Sequence, residues 1–174
     1  MRFAATVYTC LALMFVPGFA VAQGNKLTDP QIAHIAYTAG QIDIKAAELA
    51  LKKSKNKEVR AFADDMVRDH KAVNDKALAL VKKLNVTPED NDISKGLVKQ
   101  ANETETSLSK LDGAAFDKAY AGNEVAYHKS VNGALEQTLI PSATNAELKD
   151  LLATGLKIFK GHQQHAEHVA ADLK

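Results

Sequence analysis

Three histidines, His70, His128 and His162, fall on or beside the apolar stripes of three different segments with helical periodicity, each with a carboxylate in reach. An imidazole in the core of a helix bundle needs a partner, because a buried polar group left unpaired costs roughly 1–3 kcal/mol. Neutral imidazoles together with carboxylates are ligands for divalent transition metals such as iron and zinc. Asp43 and Glu124 share the inward positions. The candidate metal ligands are therefore Asp43, His70, Glu124, His128 and His162. Nucleophilic chemistry has no support: there is no Gly-x-Ser-x-Gly elbow and no phosphate loop. The single cysteine, Cys10, lies in the N-terminal segment treated below. No catalytic residue is assigned, and the residues favour a binding protein over an enzyme.

Helices must position these side chains. Asp29-Pro30 predicts a helix start with Asp29 as N-cap, followed by Ile32, Ile35, Ala39, Asp43, Ala46 and Ala50 at helical spacing. Asn56 can cap a second helix carrying Val59, Phe62, Met66, His70, Val73 and Leu80 on its stripe. Thr87-Pro88-Glu89-Asp90 signals a third start, and its narrow stripe of Ile93, Leu97, Leu108 and Leu111 predicts a shorter helix packed outside the others. After Asp112-Gly113 a fourth segment carries Phe116, Tyr120, Glu124, His128, Val131 and Leu139. A turn is expected over Pro141–Thr144, with Thr144 and Glu147 at capping-box spacing. Leu148, Leu152, Phe159, His162, Ala166 and Val169 mark the last helix. No alternating run competes as a strand. The fold class is all-α: an antiparallel four-helix bundle with one additional, shorter connecting helix.

Rise along a helix, about 1.5 Å per residue, tests whether the candidates share one depth. Asp43 and His70 lie about 12 and 15 residues from the first turn, so their heights agree within roughly 5 Å. Glu124 and His162 flank the last turn at about 17 and 21 residues, a difference near 6 Å. His128 stands one turn from Glu124 on the same face. The arithmetic permits convergence but leaves the two halves unregistered, because the connecting helix lies between them.

The segment Val59-Arg-Ala-Phe-Ala-Asp-Asp-Met-Val-Arg-Asp-His70 resembles the signature of the domain-of-unknown-function family 4142. Phe116-Asp117-Lys-Ala-Tyr120…His128 is similar to that family's third-helix pattern, and Leu156…His162…Ala166 to its last-helix pattern. Lys157 stands where the family has proline before the histidine, and Asp43 in Gly40-Gln-Ile-Asp43 where it tends to have glutamate. The resemblance spans about Asp29 to Leu173. It implies an exported bacterial protein with a ferritin-like bundle and brings no activity.

Residues 1–22 read as a secretory signal peptide: Arg2, an apolar run over Ala4–Val16, then Ala20-Val21-Ala22 before a cut at Gln23. The run is shorter than the roughly 20 residues a membrane span needs. Residues 23–28 form a short polar lead and 29–174 one domain. Removing Arg2 from 22 basic residues leaves 21 against 21 acidic ones. A neutral surface is not built to grip nucleic acid or an anionic membrane. The expectation is a periplasmic or secreted protein without stable membrane insertion after cleavage. Its protein partners are unassigned, and a helix-mediated homodimer stays open, to be marked by an apolar patch around Ile93, Leu97 and Leu108.

Two readings of the histidines stay open beside the metal. In one they are core hydrogen-bonding groups of a structural or interaction protein of the cell envelope, with Glu124 or Asp117 serving His128 and Asp43 or Asp69 serving His70. In the other, a di-iron oxidase, Glu-x-x-His would appear on two helices. Val67 and Phe159 stand three residues before His70 and His162, and Glu124 four before His128, so that spacing is missing. His34 is expected on a solvated face, and His165 and His168 as exposed residues.

Overall fold

The computed structural model describes residues 26–173. The proposed signal segment, and with it Cys10, lies outside the described residues. Among those described there are helices and no strands: α1 Asp29–Lys53, α2 Lys57–Lys83, α3 Asp92–Ser109, α4 Gly113–Ala134, a π-helical turn over Leu135–Leu139 running into the short α5 Ile140–Ser142, and α6 Ala146–Asp172.

Helices α1, α2, α6 and α4 surround one core in that order, with adjacent helices antiparallel. The α2–α4 connection travels the length of the bundle, and α3 fills it, lying against α1 and α4. Its ends are tied down. At one end Asn91 Nδ2 donates to the Gln31 carbonyl at 3.4 Å and Glu89 N to the Pro30 carbonyl at 3.1 Å. At the other, Lys53 Nζ donates to the Ser109 carbonyl at 2.9 Å and pairs with Asp112 at 2.8 Å. Only Ser94 and Leu108 of α3 are buried, as its narrow stripe predicts. Ile93 and Leu97 pack inward as half-buried residues.

The helix starts differ from expectation by one residue in two places. Thr28, not Asp29, caps α1, in a capping box with Gln31. Asn145, not Thr144, caps α6. The reason is a cross-link: Asp29 accepts from Thr144 N (2.8 Å), Thr144 Oγ1 (2.6 Å) and Asn145 N (2.9 Å), locking the start of α1 to the start of α6. The third helix likewise starts later than expected, with Asn91 as its cap. The expected Pro141–Thr144 turn is also shorter. The chain stays helical through Ser142, because a π turn precedes Pro141, whose ring would clash with a carbonyl in a regular α turn. Gly113 opens α4 at φ +55°, a left-handed conformation that favours glycine.

The core has two apolar halves. Phe62, Met66, Phe116, Tyr120 and Ala166 centre one. Ile32, Ile35, Leu135, Leu152 and Phe159 centre the other. Between them lies a polar layer of buried side chains drawn from α1, α2, α4 and α6: Asp43, His70, Asn74, Glu124, His128, Asn132 and His162.

Candidate metal centre

Each of the four bundle helices delivers its polar side chain to this layer from an otherwise apolar stripe. Met66 precedes His70 by one turn on α2, Phe159 precedes His162 on α6, and Tyr120, Glu124 and His128 follow one another on α4. Periodicity therefore places the imidazoles inward, and the antiparallel crossing of the helices sets them at one level. The ring centroids of His70, His128 and His162 are 5.3–5.8 Å apart. One ring nitrogen from each lies within 4.8 Å of the others, and all three residues are buried. Asp43, Glu124 and His128 form a second, overlapping group within the same span. The five residues singled out from the sequence thus adjoin one another in the fold.

The hydrogen bonds fix which nitrogens keep a lone pair. His128 Nδ1 lies 3.0 Å from the Glu124 carbonyl oxygen and donates its proton there, leaving Nε2 without a partner among the described residues. His162 Nε2 lies 3.0 Å from Asp69 Oδ2 and donates to it, leaving Nδ1 unpartnered. His70 stacks flat on Phe159, centroids 4.5 Å apart and planes at 5°. Its Nε2 is 3.3 Å from Asp43 Oδ2 but is not aligned for a hydrogen bond, so both of its nitrogens are unpartnered. A histidine that donates one ring N–H to a carbonyl or carboxylate and offers the other nitrogen's lone pair is arranged as metal-ligating histidines are.

Electrostatics keep the imidazoles neutral. Burial holds His70 well below the ordinary histidine value, helped by the neighbouring His128 and His162. Burial and His162 bring His128 down to about 4. Burial lowers His162 as well, against the opposing pull of Asp69. Neutral imidazole is the form that binds metals. On the other side of the layer, burial raises Asp43 far above the carboxylate range, and Glu124 beside it adds to the effect. Burial also pushes Glu124 up to about 7, against hydrogen bonds to Asp43 and Asn123. Burial and mutual repulsion thus favour the protonated form of this carboxyl pair.

His128 limits how many ions the layer can take. Its Nδ1 donates to the Glu124 carbonyl and lies 3.6 Å from Glu124 Oε2, so Nε2 alone keeps a lone pair for a metal. The two groups share His128, with His70 and His162 in one and Asp43 and Glu124 in the other.

Several neighbours differ from expectation. Asp69 serves His162, not His70, because it is one residue before His70 and so points about 100° round α2 toward α6. Asp117 is buried but takes no part in the His128 hydrogen bonds, being 11 residues, about three turns, further up α4. His34 is half-buried, with Nδ1 unpartnered, rather than solvated. His165 lies edge-on to Phe62 at 5.1 Å and 3.8 Å from Asp65, while His168 is exposed as expected. Asn74 and Asn132 in the polar layer were not singled out from the sequence. Asn132 Nδ2 reaches the Phe159 carbonyl and Gln163, and the closeness of Asn74 to α1 explains Gly40.

The family model of the domain of unknown function DUF4142 matches residues 16–169, nearly all of the bundle. The crystal structure of a candidate secreted protein of the DUF305 type from Streptomyces coelicolor superposes with a TM-score of 0.70. At 12% identity it covers 82% of this chain and 91% of that one, a likeness of fold. No curated protein matches the chain.

Proposed function

The chain belongs to the DUF4142 family, and we propose that it is an exported protein that holds one divalent transition metal ion, iron or zinc, in the polar layer of a ferritin-like bundle. His70, His128 and His162 are the nitrogen ligands, Asp43 and Glu124 the carboxylates beside them, and Asp69 orients His162. The observation that carries this reading is three buried histidines with one ring nitrogen each within 4.8 Å of the others, each keeping at least one nitrogen without a partner among the described residues. At about 1–3 kcal/mol each, such groups are a sizeable fraction of an ordinary domain's 5–15 kcal/mol of stability. A cation returns that cost. The histidine-rich set suits zinc or ferrous iron better than magnesium or calcium, which prefer oxygen ligands.

The ferritin-like description is supported by the topology, two antiparallel pairs joined by one long crossover. Export rests on the signal-like residues 1–22. A structural role for the histidines would be better served if each were sealed by its own partner, and His70 is not. A di-iron oxidase is disfavoured by the missing Glu-x-x-His spacing and by the single lone pair of His128.

Elemental analysis of the untagged protein, beside a His70→Ala/His128→Ala variant, tests the reading. The expected result is about one metal per chain, lost in the variant while helical circular dichroism persists. No metal in the wild-type protein after exposure to Zn2+ and Fe2+ overturns it.

A further inference from the structure

A buried centre needs a way in, and three approaches to this one differ in chemistry. The first is the seam between α2 and α6, where Asp69 leads to His162. There Arg68 hydrogen-bonds Asp69 and Asp65 at 2.6–3.0 Å, so both carboxylates of the seam are already engaged and offer an entering ion no free ligand. The second is a narrow cavity of about 50 Å³ in the lower half of the bundle, which touches His70 and Asp43 but is lined almost wholly by aliphatic side chains and Phe159. A hydrated cation crossing it would lose its water with nothing in return.

The third is a cleft of about 120 Å³ beneath α3. It starts among the exposed residues Lys45, Asn102 and Glu105 and passes Gln41 and Asn123. Its floor includes Asp43 and Glu124, each no more than 2% exposed. Polar amides along the walls can replace part of an ion's hydration, and Asp43 Oδ1 and Glu124 Oε2 have no hydrogen-bond partner among the neighbouring residues. The helix above the cleft buries only two of its own residues, so it can yield at small cost.

We infer that a divalent cation reaches the centre through the cleft beneath α3, where Asp43 and Glu124 receive it as an oxygen-ligand subsite before the histidines bind it. The inference rests on the proposed metal centre and adds a direction to it. The two carboxylates meet the ion first. The imidazoles complete the coordination from the far side.

The test is stopped-flow uptake of Co2+ by the metal-free protein, followed by the cobalt absorbance, with two variants in the cleft. Ala101→Phe fills the space under α3, and Glu105→Lys, an exposed change that leaves packing alone, reverses a charge at the mouth. The expected result is association slowed at least several-fold in both, with final occupancy unchanged. In Glu105→Lys the slowing fades at high salt, as a screened charge requires. Wild-type rates in both variants, with normal final occupancy, overturn the route and leave the metal centre standing. A wild-type protein that takes up no Co2+ at all overturns the centre and the route together.

Discussion

Asp69 Oδ2 sits 3.0 Å from His162 Nε2 and ties the last helix of the bundle to α2. Arg68, paired with Asp69 at 2.7 Å, keeps that carboxylate ionised: its hydrogen bonds lower the Asp69 pKa, and His162 contributes in the same direction. The relationship fixes a tautomer. With the Nε2 proton pointing at Asp69, the lone pair of His162 is on Nδ1, which is buried and has no partner among the described residues.

Asp69→Ala should therefore weaken metal binding without removing a ligand. Loss of such an orienting partner commonly costs 10–100-fold in affinity. A competition titration with a chelator should show that drop, while helical circular dichroism stays unchanged. Undiminished affinity would mean that His162 is oriented by packing alone.

His70→Leu separates the metal reading from the structural one. In the metal-free protein His70 has two nitrogens without partners, and it lies flat on Phe159. A leucine of similar volume keeps much of that apolar contact and removes the unpaired groups, and such exchanges are often neutral or stabilising. The expected result is a metal-free Tm equal to or a few degrees above wild type, with the Tm rise on adding Zn2+ abolished. A metal-free variant that melts far lower would assign His70 to the structural core.

Much of this centre is legible in the sequence, and the part that is not has a common cause. Helical periodicity is local, so it places Asp43, His70, Glu124, His128 and His162 inward from residue spacing alone. It does not say which neighbouring helix a side chain faces. That is why Asp69, adjacent in the chain to His70, serves His162 while His70 lies beside Asp43: 100° of rotation sends one to α6 and the other toward α1. The caps are displaced for the same reason. Asp29 and Thr144 each have the residue type of an N-cap, but the hydrogen bonds between them link residues 115 apart. The π turn has no periodic signature. It depends on how the helix meets Pro141, which the sequence marks only as a break.

Gly40 supplies a test of packing in the polar layer. A Cβ there would lie 2.5 Å from Asn74 Oδ1 and 3.0 Å from its Cγ, so Gly40→Ala forces a buried amide to move. The helix-propensity gain of alanine, about 1 kcal/mol, is outweighed by overpacking of about 1–3 kcal/mol and by disturbing the layer. Urea unfolding should show a net loss. Adding Asn74→Ala should return part of it, a coupling of at least about 0.5 kcal/mol in a double-mutant cycle. Additive effects would mean that α1 and α2 shift apart without cost.

The Asp29 cross-link has a pH signature with a definite sign. Burial alone would raise the carboxyl, but the hydrogen bonds from Thr144 and Asn145 outweigh it, and the net shift is downward from 3.8. A group whose folded pKa is depressed contributes stability above its unfolded value and loses it as pH falls through the folded one. The contribution is therefore complete at neutral pH and disappears below about pH 4. Asp29→Asn keeps the size of the side chain and replaces one acceptor oxygen with a donor facing two N–H groups and a hydroxyl. The site is partly solvated, so the expected loss is about 1–2 kcal/mol at pH 7, read by urea unfolding. Between pH 4 and pH 3 the wild-type curve should fall toward the variant's, because a protonated Asp29 holds the α6 start no better than the amide does. A gap that stayed constant down to pH 3 would show that the carboxylate charge is not what ties the two helix starts together.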